Sequence, residues 1–532
     1  MMVNKKLQVW LPLLFSVVLI AGMFLGYKLN KGGQAGNFFR INNTTTLQEA
    51  VDIIRLRYVD KVNIDSIQSG AIRDMMGELD PHSVYFPPVE LKQANEELEG
   101  NFDGIGVEYN IFFDTVNVIY VMPGGPSDKA GLLIGDKLLS VNDSSLTGRN
   151  TANTKIREFI QGKSGSVAHI RILRGNSVMN IDVTRGSIPL QAIDAAYMID
   201  KTTGYIKLNK FTDRSYEEFM AAMEGLQKEG MTSLIYDLRG NGGGFMTEAV
   251  DMADEFLGGN KLIVYTQGAN SKKAEYRCKR PGLFEEGKLV VLIDELSASA
   301  SEVLAGALQD WDRALIVGRR SFGKGLVQEQ FPLSDGSAIR LTIARYYTPL
   351  GRSIQRPYDH GKKQYMDEIL DRLSNGQSMY ADSNKINNGK EYLTAAGHKL
   401  FGGGGIMPDV FVPIDTATFP DRVNRLFING SFNRFVYSWY LKNQGEIKKY
   451  TSASQYATQF NRQEEIWQDF KKFSATNDST DLSGLTQFQQ DRLKERLEAY
   501  LGRFRWRNNG YFLVLNQDDP VVKKAIEQIN VK

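Results

Sequence analysis

The chain contains one cysteine, Cys278, in 532 residues. An internal disulfide framework and a multi-cysteine zinc or iron–sulfur site are thereby excluded. Histidine is nearly as scarce: only His82, His169, His360 and His398 occur. Chemistry that depends on histidine has few places to reside. The sequence also lacks an excess of either charge. Lys and Arg number 64 and Asp and Glu 62, a formal net charge of +2. A nucleic-acid partner is not expected, because such binding needs a concentrated positive field. Apolar residues make up 42% and charged residues 24%. That is ordinary soluble composition and excludes a collagen-like or wholly disordered chain. At about 150 residues per domain, the length predicts three to four domains.

Only one long uncharged apolar run is present. It extends from Val9 to Tyr27, after Lys5 and Lys6. At about 1.5 Å per residue it is long enough for a hydrocarbon core of about 30 Å. A cleavable signal peptide should end in a small-residue site of the A-x-A kind. The run instead closes with Gly22-Met23-Phe24-Leu25-Gly26-Tyr27, which fits an uncleaved signal anchor better. Lys5 and Lys6 favour a cytoplasmic N-terminus, with Lys28 and Lys31 opposing them. The expectation is a bacterial inner-membrane anchor over residues 1–30, with the rest of the chain in the periplasm. Secretion after cleavage is the alternative. A nearly cysteine-free chain suits that compartment.

Residues 31–43 are rich in Gly and Asn and read as a linker. Residues 44–100 read as a helical unit. Thr46-Leu47-Gln48-Glu49 is a capping-box pattern, followed by Leu47, Val51, Ile54 and Tyr58 on one helical face. A second helix is predicted from Asp65, ending before Pro81, and a third over 89–99. From 101 to 186 the texture changes to short strands, with alternation at Val116, Val118 and Tyr120 and at Ala168, Ile170 and Ile172. A helix is predicted over 151–160. From 187 to 415 apolar strand runs alternate with helices, the texture of an α/β layer. There Ser215-x-x-Glu218 reads as a helix cap. Residues 416–532 are mostly helical in pattern. Interleaved basic and aromatic residues such as Arg434-Phe435-Val436-Tyr437 fit amphipathic helices that bury rings better than a nucleic-acid surface.

The 101–186 region carries Gly104-Ile105-Gly106-Val107 and Pro126-Ser127-x-x-Ala130-Gly131-Leu132-x-x-Gly135-Asp136-x-Leu138-x-x-Val141-Asn142. These motifs resemble a PDZ domain in its circularly permuted bacterial form. The resemblance implies that Gly104, Ile105, Gly106 and Val107 form the carboxylate-binding loop. A PDZ groove takes an extended peptide as an added strand and holds its terminal carboxylate on loop amides.

Three segments of the α/β region carry chemistry. Asp237-Leu238-Arg239-Gly240-Asn241-Gly242-Gly243-Gly244 follows a strand. It does not complete G-x-G-x-x-G, since Phe245 occupies the last position. Side-chain-free amides suit either a plain turn or an oxyanion hole. Ser297-Ala298-Ser299-Ala300-Ser301-Glu302 opens a helix. Serine there is a good cap, and a nucleophilic serine there would have free amides beside it. Gly323-Lys324-Gly325-Leu326-Val327-Gln328 is the third. Gly318 to Lys324 starts a P-loop pattern, but Gly325 replaces the Ser or Thr and a strand pattern follows, so a nucleotide site is not expected. A buried lysine has a lowered pKa and can serve as general base toward a serine.

Together the segments resemble the carboxy-terminal (tail-specific) processing proteases, a Ser–Lys peptidase family, over about residues 47–415. Leu79-Asp80-Pro81-His82-Ser83, Ala344-Arg345-Tyr346-Tyr347-Thr348-Pro349 and Gly405-Ile406-x-Pro408-Asp409 extend the match. The resemblance implies Ser299 as nucleophile, Lys324 as general base and Gln328 as its orienting partner. It implies the amides of Ala300 and Gly243 as oxyanion donors, and structural roles for Glu302 and Arg239. It implies a ClpP/crotonase-like core with an inserted PDZ domain, in a multidomain α/β (α+β) chain with a helical N-terminal unit and a mostly helical C-terminal region. No metal or other cofactor is expected. The partners implied are protein or peptide substrates with exposed C-termini, bound through the PDZ groove. Residues 416–532 are left as an adaptor or self-association surface. The rival readings are a PDZ scaffold on an inactive protease fold and a serine hydrolase with a histidine base.

Overall fold

The computed structural model describes residues 10, 15–25, 45–112, 114–148, 153–374, 379, 390–414 and 419–531. The predicted linker 31–43 and parts of the 9–27 run lie outside them. The chain divides into two units, Met1–Ile72 and Arg73–Lys532.

In the first unit, residues 15–25 are helical and exposed. No helix among the described residues is long and apolar enough to cross a membrane. The next helix is Thr46–Arg57. Its cap is Thr45, whose side chain accepts from the Gln48 amide. The helix is therefore capped one residue earlier than Thr46, the position expected, by a single side-chain bond in place of a capping box. Ile64–Gly77 forms the following helix.

In the second unit, the central sheet has six strands in the order 193–198, 203–208, 233–237, 288–293, 315–318 and 410–411. All pairs after the first are parallel. Parallel strands are buried on both faces, which explains the continuous apolar runs. Alternate residues enter different cores because strand side chains alternate. Ile206, Tyr236, Val291 and Ile316 join the helices Ser215–Lys228, Met246–Asp254 and Ala300–Asp310 on one side. Tyr205, Ile235, Val290 and Val317 meet Val521, Val522, Ala525 and Ile529 on the other. The last helix, Pro520–Asn530, thus covers the second face of this sheet, across the 415/416 boundary expected from the sequence. The Ser215 helix also departs from expectation. Glu218 does not close a capping box; its Oε2 accepts the amides of Ala192 and Ile193 at 2.8 and 3.0 Å.

A second sheet, antiparallel throughout, pairs Leu326–Pro332 with Ala338–Tyr347 as a hairpin. Val84–Phe86 and Leu262–Gln267 flank the same long strand. The PDZ domain is an antiparallel sheet in the order 107–112, 115–121, 137–141, 167–174 and 177–184, with a short strand at Ser144–Ser145. Its core holds Val116, Leu138, Ile156 and Ile170. A two-stranded ribbon, 101–104 against 186–189, joins it to the rest. The helices between 421 and 515 pack around Phe432, Tyr456, Trp467, Phe470 and Leu493. The interleaved aromatics at 432–440 are core residues.

Candidate active site

The strands Ser233–Asp237 and Lys288–Ile293 are parallel neighbours. Their carboxyl ends run directly into the 237–244 and 294–302 segments. Open parallel sheets build sites at these ends.

Ser299 heads the helix Ala300–Asp310 with φ 56° and ψ −113°. A non-glycine residue in that region is strained. The strain is held from several sides. The Ser299 N–H donates to Glu302 Oε2 at 2.8 Å. The Ser299 carbonyl accepts from Glu302 N, Val303 N and Tyr346 Oη at 2.9, 3.0 and 3.0 Å. The Ala300 N–H is among the first of the helix, which have no intrahelical partner.

The glycine run packs against this turn. Gly243 has φ 96°, and a Cβ there would lie 2.7 Å from Ala298 O and 2.8 Å from Ser299 Cβ. Only glycine allows this approach. Buried Asn241 fixes the run. Its carbonyl accepts from Ala298 N at 3.0 Å and Ser301 Oγ at 2.9 Å. Its side chain donates to Leu208 O at 3.1 Å. Its Oδ1 accepts the Gly243 N–H at 2.9 Å. The Gly243 amide, expected to be an oxyanion donor, is thus engaged by Asn241 in this conformation.

Lys324 lies in a turn closed by tight backbone contacts. A Cβ on Gly325 would lie 2.9 Å from Gln355 N. The Lys324 and Gly323 amides donate to Glu302 at 2.8 and 2.7 Å, and Ser321 Oγ donates at 2.5 Å. Lys324 Nζ donates to Gln328 Oε1 at 3.0 Å. Gln328 Nε2 in turn donates to the His82 carbonyl. Desolvation, helped by the charge of Arg340, lowers the Lys324 pKa to about 8. Burial raises Glu302 to about 7, opposed by the four donors that favour its anion. Among the described residues, no hydrogen bond joins Ser299 Oγ to Lys324 Nζ.

Ser299, Ala300, Lys324, Gln328 and Gly243 line one cavity of about 930 Å³. No histidine is among its lining residues. His82 supports it only through its carbonyl, while its ring Nε2 faces Tyr365 Oη at 2.9 Å. Burial lowers its pKa to about 4. His169, His360 and His398 pair with Asp182, Asp359 and Asp312. Among the described residues, no group of three or more His, Cys, Asp or Glu could hold a metal ion.

Gly104, Ile105, Gly106 and Val107 do not join this cavity. Gly104 ends the 101–104 strand. The Ile105 side chain is in the PDZ core, and its carbonyl accepts from Ser127 N at 3.0 Å. Gly106 turns the chain at φ 75°. Val107 starts the edge strand and lines a separate cavity of about 830 Å³.

Sequence reasoning missed Tyr346 and Asn241. Tyr346 Oη donates to Ser299 O and also contacts Lys324 O, joining the 297–302 and 323–328 segments. Both residues lie inside motif segments, but no pattern in the sequence told their contacts apart from their neighbours'. Arg239 has a wider role than expected. It pairs with Asp237 and reaches Asp519 Oδ2 at 2.9 Å, at the cap of the last helix. Desolvation opposes the Asp237 anion, but Arg239, then Lys207, hold its carboxyl well below the usual range.

Residues 202–360 match the model of peptidase family S41, and 118–174 match a PDZ domain. Residues 423–507 match a family whose description says only that its function is unknown. The carboxy-terminal-processing protease of Bartonella bacilliformis is 32% identical over 349 residues, 64% of this chain and 80% of that protein. Carboxy-terminal processing protease CtpB of Bacillus subtilis is 31% identical over 315 residues, 58% of this chain and 65% of that one. Among solved structures, a photosystem II D1 C-terminal processing protease is 25% identical, with a TM-score of 0.35, over 69% of this chain and 88% of that chain. The chain belongs to the carboxy-terminal processing serine proteases of peptidase family S41.

Proposed function

We propose that this protease is an inner-membrane-anchored, periplasmic endopeptidase in which Ser299 is the nucleophile and Lys324 its general base. The observation that carries the assignment is the common cavity lined by Ser299, Lys324, Gln328, Ala300 and Gly243. Neutral Lys324 takes the Ser299 proton as Oγ attacks a peptide carbonyl. The Ala300 amide and an amide of the glycine run bind the tetrahedral oxyanion. The protonated lysine then gives its proton to the leaving amine. Water attacks the acyl-enzyme as Lys324 accepts its proton; the Oγ–acyl bond then breaks, Lys324 returns that proton to Ser299 Oγ, and the acid product leaves. Gln328 positions Lys324, and His82 O positions Gln328. Attack requires Lys324 to turn from Gln328 toward Ser299, and Gly243 acts as a donor only once its N–H leaves Asn241.

The PDZ domain captures substrate C-termini, with the 104–107 turn receiving the carboxylate. Support comes from the motif and from the edge position of the 107–112 strand. Anchoring rests on the uncharged 9–27 run behind Lys5 and Lys6.

The test is degradation of an unfolded reporter with an apolar C-terminal tail. Wild type is expected to cleave it, while Ser299→Ala and Lys324→Ala do not. Retained cleavage by Lys324→Ala would refute the dyad. Anchoring is tested by alkaline extraction of membranes and by protease accessibility of intact cells. Release of the full chain by alkali would refute it.

A further inference from the structure

The strand Val107–Phe112 is an edge: its sheet partner is Thr115–Val121 on one side, and among the described residues no strand pairs with the other. The cavity beside it is closed by a second wall that belongs to the C-terminal helical region. Tyr500, Arg503 and Phe504 of the helical stretch Gln487–Leu515, with Arg507 at the non-helical kink that divides it (φ 56°, ψ −146°), face Val107, Glu108 and Tyr109 across it. This wall is fixed. Asn508 Nδ2 donates to Asp194 Oδ1 at 2.6 Å, and Ala196 N donates to Asn509 Oδ1 at 2.8 Å. Both tie the segment just after the Arg507 kink to the 193–198 strand of the central sheet.

Side chains on the edge strand alternate. Val107 and Tyr109 pack on the PDZ core. Glu108 points the other way and pairs with Arg503 at 3.3 Å and with Arg507. Arg507 also lies 3.7 Å from the centre of the Tyr120 ring. A peptide added to this edge must alternate likewise. Its last side chain faces the PDZ core and the helix Asn153–Ile160. Its penultimate side chain faces the Arg503–Arg507 wall. In a PDZ domain without such a wall, that side chain would face solvent.

The wall presents two guanidinia next to that position, Arg503 and Arg507, and the carboxylates of Glu108 and Asp194 line the same cavity. In direct contact the two guanidinia share one carboxylate, that of Glu108, while Asp194 Oδ1 is taken by Asn508 Nδ2. Arg503 Nε also donates to Asn508 Oδ1 at 3.2 Å. A guanidinium has five N–H donors, so donors remain for a second carboxylate. The acidic groups on the far side, Glu96 and Glu97, have cations of their own in Lys92 and Lys210.

We propose that residues 487–515 form the second wall of the peptide groove, and that Arg503 and Arg507 select substrate C-termini with an acidic penultimate residue. This rests on the reading that the PDZ domain captures C-termini. Glu97 lines both this cavity and the catalytic one. A tail seated between PDZ edge and wall therefore leads past the helix Pro88–Glu99 toward Ser299. The 423–507 segment of this chain, which matches a family of unknown function, thereby gains a role in substrate choice.

The test is fluorescence anisotropy with the full chain in detergent, carrying Ser299→Ala to prevent cleavage. The probes are labelled decapeptides with an apolar last residue and Glu, Ala or Lys before it, each as free acid and as amide. The Glu peptide is expected to bind about tenfold more tightly than the Lys peptide. Arg503→Gln with Arg507→Gln should erase that preference and leave the Ala peptide within about twofold. Glu108→Gln, which frees both guanidinia, should widen the preference and checks the wall without touching the arginines. Equal binding of Glu and Lys peptides by wild type, or a preference that survives the double variant, overturns the proposal. Binding that ignores amidation overturns the capture reading and the proposal with it. Carboxylate-dependent binding without a Glu preference overturns the proposal alone.

Discussion

Glu302 Oε2 accepts the Lys324 N–H at 2.8 Å, and the same atom accepts the Ser299 N–H at 2.8 Å. One buried carboxylate thus sets the main-chain positions of Ser299 and Lys324, the proposed dyad, 25 residues apart in the chain. Its other oxygen accepts from Ser321 Oγ and Gly323 N. Glu302→Gln keeps the shape but turns one acceptor into a donor, opposing two N–H groups. A buried donor without a partner costs about 1–3 kcal/mol. The variant should lose about 3 kcal/mol of stability and most of its peptidase activity. Denaturant unfolding and a peptide-cleavage assay check both. Full activity in Glu302→Gln would show that the two backbones do not need this clamp.

On the proposed mechanism, in which neutral Lys324 is the base, activity should rise with pH through about 8, because burial and Arg340 lower the Lys324 pKa to about 8. The stability sign follows. A lysine depressed in the folded state stabilises above its unfolded pKa of about 10.4. That contribution is lost as pH falls through about 8. Removing the Arg340 charge by Arg340→Gln should move the midpoint of kcat/KM upward. A midpoint unchanged in Arg340→Gln would mean that the profile reports another group.

The family and the core segments were legible because the chemistry is local. Ser299, Lys324 and Gln328 sit in short motifs whose spacing constrains them, and the parallel strands announce themselves as unbroken apolar runs. Long-range partners were not legible. Nothing near Glu302 in sequence says that its carboxylate reaches 323–324, and nothing in 79–83 says that His82 offers its carbonyl to Gln328. The Gly243 amide was expected from its neighbourhood, but its engagement by Asn241 depends on a side-chain rotamer, which composition does not encode. The 520–530 helix was grouped with the C-terminal helices because helical periodicity identifies an apolar face and not what covers it.

That last helix makes its own prediction. Asp519 caps it, accepting from Val521 N at 2.8 Å and Val522 N at 3.0 Å, and pairs with Arg239. Asp519→Ala removes a cap worth about 1 kcal/mol and leaves a largely buried guanidinium short of a partner. Losses of about 2–4 kcal/mol are expected, read from urea unfolding. Deleting 518–532 should uncover Tyr205, Ile235 and Val290 and abolish soluble expression. An active, fully stable deletion would mean that the sheet does not need its second layer.

The glycine run offers a paired comparison with opposite outcomes one residue apart. At Gly242 a Cβ would meet nothing within 4 Å. Gly242→Ala should keep activity within about twofold, since surface changes are usually worth less than about 0.5 kcal/mol. At Gly243 the Cβ would lie 2.7 Å from Ala298 O and 2.8 Å from Ser299 Cβ, on a backbone at φ 96°. Gly243→Ala must push the Ser299 turn away from the sheet end or strain its own backbone. Either route displaces Oγ from the amides around it, so a loss of about 100-fold or more in kcat/KM is expected, since a single misplaced oxyanion donor costs about that much. Both variants are measured against the same peptide. The reverse pattern, with Gly242→Ala dead and Gly243→Ala active, would place the close approach at the wrong glycine.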